Sequence, residues 1–133
     1  MDTISISLLE TGLNRSVSEI RVDGVIDTLT AGELEEVIDS LLKRGRFRIL
    51  IDLAGVDYIS SAGWGIFISH IKEVRSNGGD IKLAGMIPNV SEIYQLLEFD
   101  NVLQSCTSVD EARALFDHQG PDDPKKKAMK SPE

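Results

Sequence analysis

The chain has 133 residues, which is enough for one domain of ordinary size. Fourteen Lys and Arg residues against 22 Asp and Glu residues give a formal net charge of -8, which argues against nucleic acid as a partner. A single cysteine, Cys106, excludes an internal disulfide and a cysteine-cluster metal site. No apolar run approaches the roughly 20 residues that cross a bilayer, and the start lacks a basic secretory signal. We therefore expect a cytoplasmic protein without membrane insertion.

The spacing of apolar residues divides the chain into alternating strands and helices. A period of two is typical of half-buried strands, a short continuous apolar run of strands buried on both faces, and a period near 3.6 of amphipathic helices. In chain order these patterns predict a strand hairpin at 4–8 and 17–22, a helix at 31–44, a strand at 47–53, a helix at 60–76, a strand at 81–87, a helix at 89–97, a strand at 102–107 and a helix at 108–116.

Capping-box patterns mark the start of two of these helices, because a Ser or Thr is followed three residues later by Glu. Thr30 with Glu33 is expected to begin the first helix, and Ser108 with Glu111 the fourth. Strands that alternate with helices require crossover connections. The order therefore predicts an α/β fold, with a mixed open β-sheet and about four helices packed on it.

The composition changes at His118. From there to the end the chain has three prolines and hardly any large apolar residue, so it cannot bury enough surface to offset the entropy of ordering. The sequence predicts a domain at 1–117 and a disordered polar tail at 118–133.

Catalytic patterns are scarce. The pair Ser60–Ser61 lacks the leading glycine of a nucleophile elbow, and neither histidine is placed as its base. His118 lies at the tail, and His70 lies about two and a half turns into the second helix, where we interpret it as an ordinary helix-surface or core-edge residue. Phosphate-loop and dinucleotide patterns are missing as well. We predict that the protein is not an enzyme and needs no cofactor.

Three acidic residues at strand ends or in predicted loops are candidates for a metal site. Asp27, Asp52 and Asp57 would hold Mg²⁺ if they gathered at one edge of the sheet. Single carboxylates in loops are common, however, so we interpret Asp52 and Asp57 as solvated or turn-forming residues. The sequence predicts no metal site.

The serine pair stands between the third strand and the residues that open the second helix. Hydroxyls at a helix start face unpaired N–H groups and the positive end of the helix dipole. One interpretation is a helix cap, which contributes about 1 kcal/mol. The other is a phosphate acceptor, since the same groups accommodate a phosphate that adds about -1.5 to -2 of charge to the surface. The residues alone leave both interpretations open.

The segment at 47–67, FRILIDLAGVDYISSAGWGIF, resembles the motif of STAS domains, the family of the bacterial anti-sigma factor antagonists. A second segment, Gly24-Val25-Ile26-Asp27, looks like the family's Gly-x-Leu-Asp turn before the first helix. The resemblance covers about residues 3–117, and the predicted order of elements is that of the family fold. The residues that match the first motif are Asp52, Leu53, Val56, Tyr58, Ile59, Ser61, Gly63 and Gly65.

The resemblance implies a switch between protein partners. In such systems the unphosphorylated antagonist binds an anti-sigma factor, a GHKL-type serine kinase, and thereby frees the sigma factor. The kinase uses ATP to phosphorylate a serine of the antagonist, and a PP2C-type phosphatase reverses the modification. By this resemblance the phosphorylation site is Ser61, with Ser60 as the alternative. The implied partner-binding residues are Asp27, Thr28, Ser60, Ser61, Ala62, Gly63 and Trp64.

Two positions depart from the family pattern. In the form Asp-Ser-Ser-Gly the phosphorylated serine directly precedes the glycine, whereas this chain has Ala62 there and Ser60 in place of the aspartate. Trp64 replaces the usual leucine, and is either buried or an exposed aromatic anchor for a partner. Two alternative functions stay open: an interaction domain of a transporter or sensory complex that is not phosphorylated, which Ala62 favours, and, independently of these positions, a module that binds a nucleotide or other small ligand.

Overall fold

The computed structural model describes residues 4–119, and its strands and helices follow the order that the sequence predicts. α4 continues two residues past the expected domain boundary, and the rest of the predicted tail, 120–133, lies outside the described residues. The strands are β1 (Ile4–Thr11), β2 (Val17–Ile26), β3 (Arg48–Ile59), β4 (Asp80–Ala84) and β5 (Gln104–Cys106), and the helices are α1 (Ala31–Lys43), α2 (Ser61–Ser76), α3 (Pro88–Leu96) and α4 (Val109–Gln119).

The five strands form one mixed sheet in the order β1-β2-β3-β4-β5. β1 pairs with β2 in antiparallel fashion, as the predicted hairpin requires, and all other neighbours are parallel. The prediction of an α/β domain with a mixed open sheet and four helices is therefore confirmed.

Helices cover the two faces of the sheet unequally. On one face, apolar residues of β2, β3 and β4 pack against α1, α2 and α3 in the larger core, which contains Ile51 and Phe67. On the other face, α4 covers a smaller core that contains Leu50 and Phe116. Because Leu50 and Ile51 point to opposite faces and are both fully buried, β3 is a central strand, as its continuous apolar run predicts.

β3 continues six residues beyond the end that its apolar run predicts. The segment 54–59, expected to be a loop, continues the strand because β2 extends beside it as far as Ile26. In this extension Gly24 pairs with Val56 and Ile26 with Ile59. As a result Ser60 follows the end of a strand directly, and no flexible loop separates it from the sheet.

The start of α1 differs from the predicted capping box. The Thr30 hydroxyl does not cap the helix; it donates to the Val25 carbonyl at 2.7 Å and accepts from the Asp27 N–H at 2.9 Å. The Asp27 carboxylate in turn accepts from the N–H groups of Leu29 at 2.9 Å and Thr30 at 3.1 Å. Asp27 and Thr30 thus close the turn between β2 and α1 by local hydrogen bonds.

The start of α3 differs from its predicted position by one residue, whereas the start of α4 agrees with its predicted cap. α3 begins at Pro88 itself, one residue before the predicted start at Asn89, because the first helical position needs no N–H donor. At α4 the Ser108 hydroxyl accepts from the Glu111 N–H at 3.1 Å, as the capping box predicts. Within residues 4–119, none of the helices combines the length and apolar character needed to span a membrane.

Candidate functional site

The candidate site is built around the junction between β3 and α2. Ser60 has an extended backbone there, and its N–H donates to the Ile26 carbonyl on β2 at 2.8 Å. Its hydroxyl accepts from the Gly63 N–H at 3.3 Å, so Ser60 is the residue that caps α2. The cap interpretation of the serine pair therefore applies to Ser60.

Ser61, the first residue of α2, has different surroundings. It is exposed, and its hydroxyl has no hydrogen-bond partner among residues 4–119. The first turn of α2 contains no acidic side chain that would already compensate the positive end of the helix dipole. The Ser61 hydroxyl is therefore open to an approaching protein and lies where a negative charge is favoured.

Gly63 allows α2 to begin close against the sheet. A Cβ at this position would lie 2.7 Å from the Ile26 Cγ2 atom and 2.8 Å from the Ile59 Cγ2 atom, closer than such atoms approach. A Cβ at Gly65, two residues further along α2, would have no atom within 4 Å. The first glycine of the Gly-Trp-Gly sequence is thus required by packing, whereas the second is not.

Trp64 is buried, with 2% of its surface exposed, so the interpretation as an exposed aromatic anchor is wrong. Its ring lies 6.2 Å from that of Phe67 on α2, 6.0 Å from that of Tyr94 on α3 and 5.0 Å from that of Phe99. Trp64 therefore packs α2 against α3 and lies in the core beneath the exposed surface around Ser61.

The structure brings the other predicted partner-binding residues to the same edge of the sheet. Asp27 and Thr28 follow the end of β2, which is hydrogen-bonded to Ser60 through Ile26. Thr28 and Ser61 are exposed, and the three residues that are half-buried are Asp27, Ser60 and Ala62. Their role in partner binding stays a prediction.

Asp52 is separated along the sheet from the other acidic residues considered as a Mg²⁺ site. Asp52 lies seven residues before the end of β3, about 23 Å at 3.3 Å per residue, and is therefore far from Asp27. It is 7% exposed, accepts from the Ala54 N–H at 3.1 Å and faces Arg21 at 3.7 Å. The interpretation of Asp52 as solvated is therefore wrong, although it makes the local bond of a turn-forming residue. Asp57 is exposed, as expected.

An apolar groove of about 310 Å³ lies beside Ser61, between α2 and α3. Its walls include Tyr58 and Leu97, which are 54% and 53% exposed. No local sequence pattern predicts this groove, because it forms only where α2 and α3 pack side by side. Exposed apolar side chains grouped next to a polar rim are typical of a protein-binding surface.

Comparisons with known proteins agree with this architecture. The STAS domain family model matches residues 8–112. A Bordetella bronchiseptica protein named as a candidate anti-sigma factor antagonist, BtrV, is 30% identical over 95 residues, which are 71% of this chain and 82% of that protein. The anti-sigma-B factor antagonist of Staphylococcus epidermidis is 27% identical over 88 residues, 66% of this chain and 82% of its own length.

A solved structure shows the same fold. The crystal structure of an anti-sigma factor antagonist from Mycobacterium paratuberculosis is similar with a TM-score of 0.77 at 23% sequence identity, over 86% of this chain and 94% of that chain. The family model, in addition, spans most of the sequence and includes the whole β3–α2 junction. The chain belongs to the STAS domain family.

Proposed function

We propose that this protein is an anti-sigma factor antagonist of a cytoplasmic partner-switching pathway, and that Ser61 is its phosphorylation site. The unmodified protein binds a GHKL-type serine kinase that acts as the anti-sigma factor; phosphorylation ends the binding, and a PP2C-type phosphatase restores it. The observation that carries the proposal is the different use of two adjacent hydroxyls: Ser60 caps α2, whereas Ser61 is exposed at the same helix start.

The effect of a phosphate at Ser61 follows from its surroundings. The hydroxyl holds no hydrogen bond to residues 4–119, so its modification breaks none there, and the start of α2 tolerates the added charge. The phosphate would add about -1.5 to -2 of charge directly beside an apolar groove. A partner packed on that groove would have to desolvate the charge, which opposes binding. The fold is retained while the surface changes.

Ser61 is preferred to Ser60 because modification of Ser60 would alter the cap of α2. In this role Ser61 is the substrate of another protein's active site, and the antagonist itself contributes no catalytic group. The names of the relatives, which describe anti-sigma factor antagonists, support the class of function.

The second candidate is an interaction domain of a transporter or sensory complex without a phosphorylation step. The observation in its favour is Ala62, which occupies the position of the usual phosphorylated serine. Under this interpretation both serines serve the start of α2, and the surface around them binds one partner permanently.

A capture experiment in lysate of the native host distinguishes the two candidates. The baits are the wild-type protein, S60D, S61D and S61A, with S76D as a matched control, since Ser76 is an exposed serine at the far end of the same helix. We expect the wild-type, S61A and S76D proteins to retain a GHKL-type kinase, and S61D to lose it with an unchanged circular dichroism spectrum. Incubation of the captured kinase with ATP should then phosphorylate the wild-type protein but not S61A. Equal capture by all baits would contradict the switch and favour the permanent interaction domain.

A further inference from the structure

A cluster of three ionisable side chains joins α1 to α2, away from the serine site. The Nε2 atom of His70 on α2 lies 3.0 Å from Asp39 Oδ1 and 3.9 Å from Glu35 Oε2, both on α1. One ligand atom from each residue lies within 4.8 Å of the other two. The sequence predicts an ordinary helix-surface or core-edge role for His70, and only the packing of α1 on α2 brings it close to the two acids.

The hydrogen bonds of His70 determine what its ring presents to the two acids. Its Nδ1 atom lies 2.7 Å from the Ile66 carbonyl, which can only accept, so Nδ1 carries a hydrogen. In the neutral ring Nε2 is then a bare lone pair, and it faces two carboxylates that are also acceptors. His70 is only 9% exposed, so it cannot turn this atom to bulk water. The arrangement therefore needs a positive charge at Nε2, which either a proton on the ring or a metal ion in its place can supply.

Three features of the cluster fit a metal site. Histidine ligands usually donate their other ring N–H to a backbone carbonyl or carboxylate, as His70 does to Ile66. One imidazole and two carboxylates form a ligand set that suits zinc and related ions. The side chains of Glu35 and Asp39 are 46% and 49% exposed, so an ion can enter from solvent and keep water as its remaining ligand.

We propose that His70, Asp39 and Glu35 bind a divalent transition-metal ion of the zinc class, which links α1 to α2. Two ligands of one zinc ion lie at most about 4 Å apart, because each bond measures about 2 Å. The present separations require only a small adjustment of the two exposed carboxylates. His70 lies nine residues after Ser61, about 14 Å along α2, so metal binding can be tested independently of the proposed phosphorylation.

A proton competes with the metal for the same atom. Burial lowers the pKa of His70, but the hydrogen bonds to Ile66 and Asp39 and the charges of Asp39 and Glu35 outweigh it, so the pKa lies above its usual value. Metal binding must displace this proton. The affinity for the metal should therefore rise with pH.

The test is thermal unfolding of the chelator-treated full chain at pH 8, with and without excess ZnCl2. We expect zinc to raise the melting temperature of the wild-type protein by about 4 °C or more, and MgCl2 to leave it unchanged. The matched control is H118Q, which removes the other histidine of the chain, at an exposed position of α4, and should respond to zinc as the wild-type protein does. H70Q should not respond.

A substitution of the buried His70 could disturb the fold, so a second variant is needed. D39N changes a half-exposed position and retains the shape of the side chain. Calorimetric titration should give one zinc ion per wild-type chain and at least about tenfold weaker binding to D39N. No zinc-dependent shift in the folded wild-type protein would overturn the proposal. A shift of equal size in H70Q and D39N would overturn it as well, by assigning the ion to other acidic groups.

Discussion

Ser60 and Ser61 are chemically identical neighbours with different structural roles. The N–H of Ser60 is held by the Ile26 carbonyl, which directs its hydroxyl toward the Gly63 N–H. Ser61 is turned outward by the first turn of the helix and remains exposed. The difference in role arises from one hydrogen bond between segments more than thirty positions apart in the sequence.

At this scale the two hydroxyls should contribute differently to stability. We expect S60A to lower the free energy of unfolding by about 1 kcal/mol, because the Gly63 N–H loses its partner. S61A should stay within about 0.5 kcal/mol of the wild-type protein, since an exposed side chain without partners is removed. Urea denaturation of both variants measures the difference. A loss in S61A as large as that in S60A would show that the assignment of the cap is wrong.

The sequence alone could place both serines at a helix start but could not say which one caps it. Either hydroxyl lies within reach of the free N–H groups, and local spacing permits both. The choice depends on the contact of Ser60 with Ile26, which no local pattern encodes. Thr30 shows the same limit: its spacing to Glu33 fits a capping box, yet its hydroxyl bonds the Val25 carbonyl.

At the scale of single elements, α2 contains two glycines that should respond in opposite ways to the same substitution. G63A should lower the free energy of unfolding by about 1 to 3 kcal/mol, because its Cβ would lie 2.7 Å from Ile26 and 2.8 Å from Ile59. G65A should raise it by about 0.5 to 1 kcal/mol, because nothing lies within 4 Å and alanine favours the helix.

Chemical denaturation of the pair checks this prediction, and each variant is the control of the other because both lie in the first two turns of one helix. If G63A were as stable as the wild-type protein, the start of α2 would have room to move away from β2. The close packing described for this junction would then be incorrect.

The length of β3 shows why some elements could not be predicted. The apolar run that predicts this strand ends at Leu53, and the Gly55 and Asp57 that follow it are residue types typical of loops. In the structure Gly55 lies opposite Asp23 on β2, where a Cβ would come within 1.8 Å of the Asp23 carboxylate. The glycine therefore marks a close approach of two strands rather than a turn, and only the pairing of β2 with β3 distinguishes these cases.

At the scale of the whole molecule, the predicted class and order of elements were correct because they depend on strong, repeated patterns. Apolar residues at helical spacing and one fully apolar strand identify the layers without knowledge of any single contact. The unequal covering of the two faces was not predicted, since it depends on the side of the sheet to which α4 returns.

The cluster between α1 and α2 should make the stability of the metal-free protein depend on pH. The pKa of His70 is raised in the folded state, so its contribution is complete below the unfolded value of about 6.5 and is lost as pH rises through the folded value. We therefore expect the free energy of unfolding, measured in EDTA, to decrease from about pH 6 to about pH 8 in the wild-type protein.

The variants H70Q and H118Q separate this contribution from other titrating groups. H118Q should keep the decrease, and H70Q should show a weaker dependence on pH over the same range. An unchanged slope in H70Q would mean that the His70 ring does not carry the proton that holds it to Asp39 and Glu35.

The antiparallel pairing of β1 has a practical consequence for any fusion protein. Ile4 lies opposite Gly24, close to the end of β2 that touches Ser60, so a tag attached ahead of Ile4 emerges at the edge that carries Ser61. At the opposite end of the strands, the Asp117 carboxylate accepts from the Leu13 N–H at 2.9 Å. α4 ends two residues later, at Gln119. Immobilisation beads and fluorescent labels attached ahead of Ile4 should therefore interfere with access to Ser61, whereas a label on an exposed residue near Leu13 would lie at the opposite end of the strands.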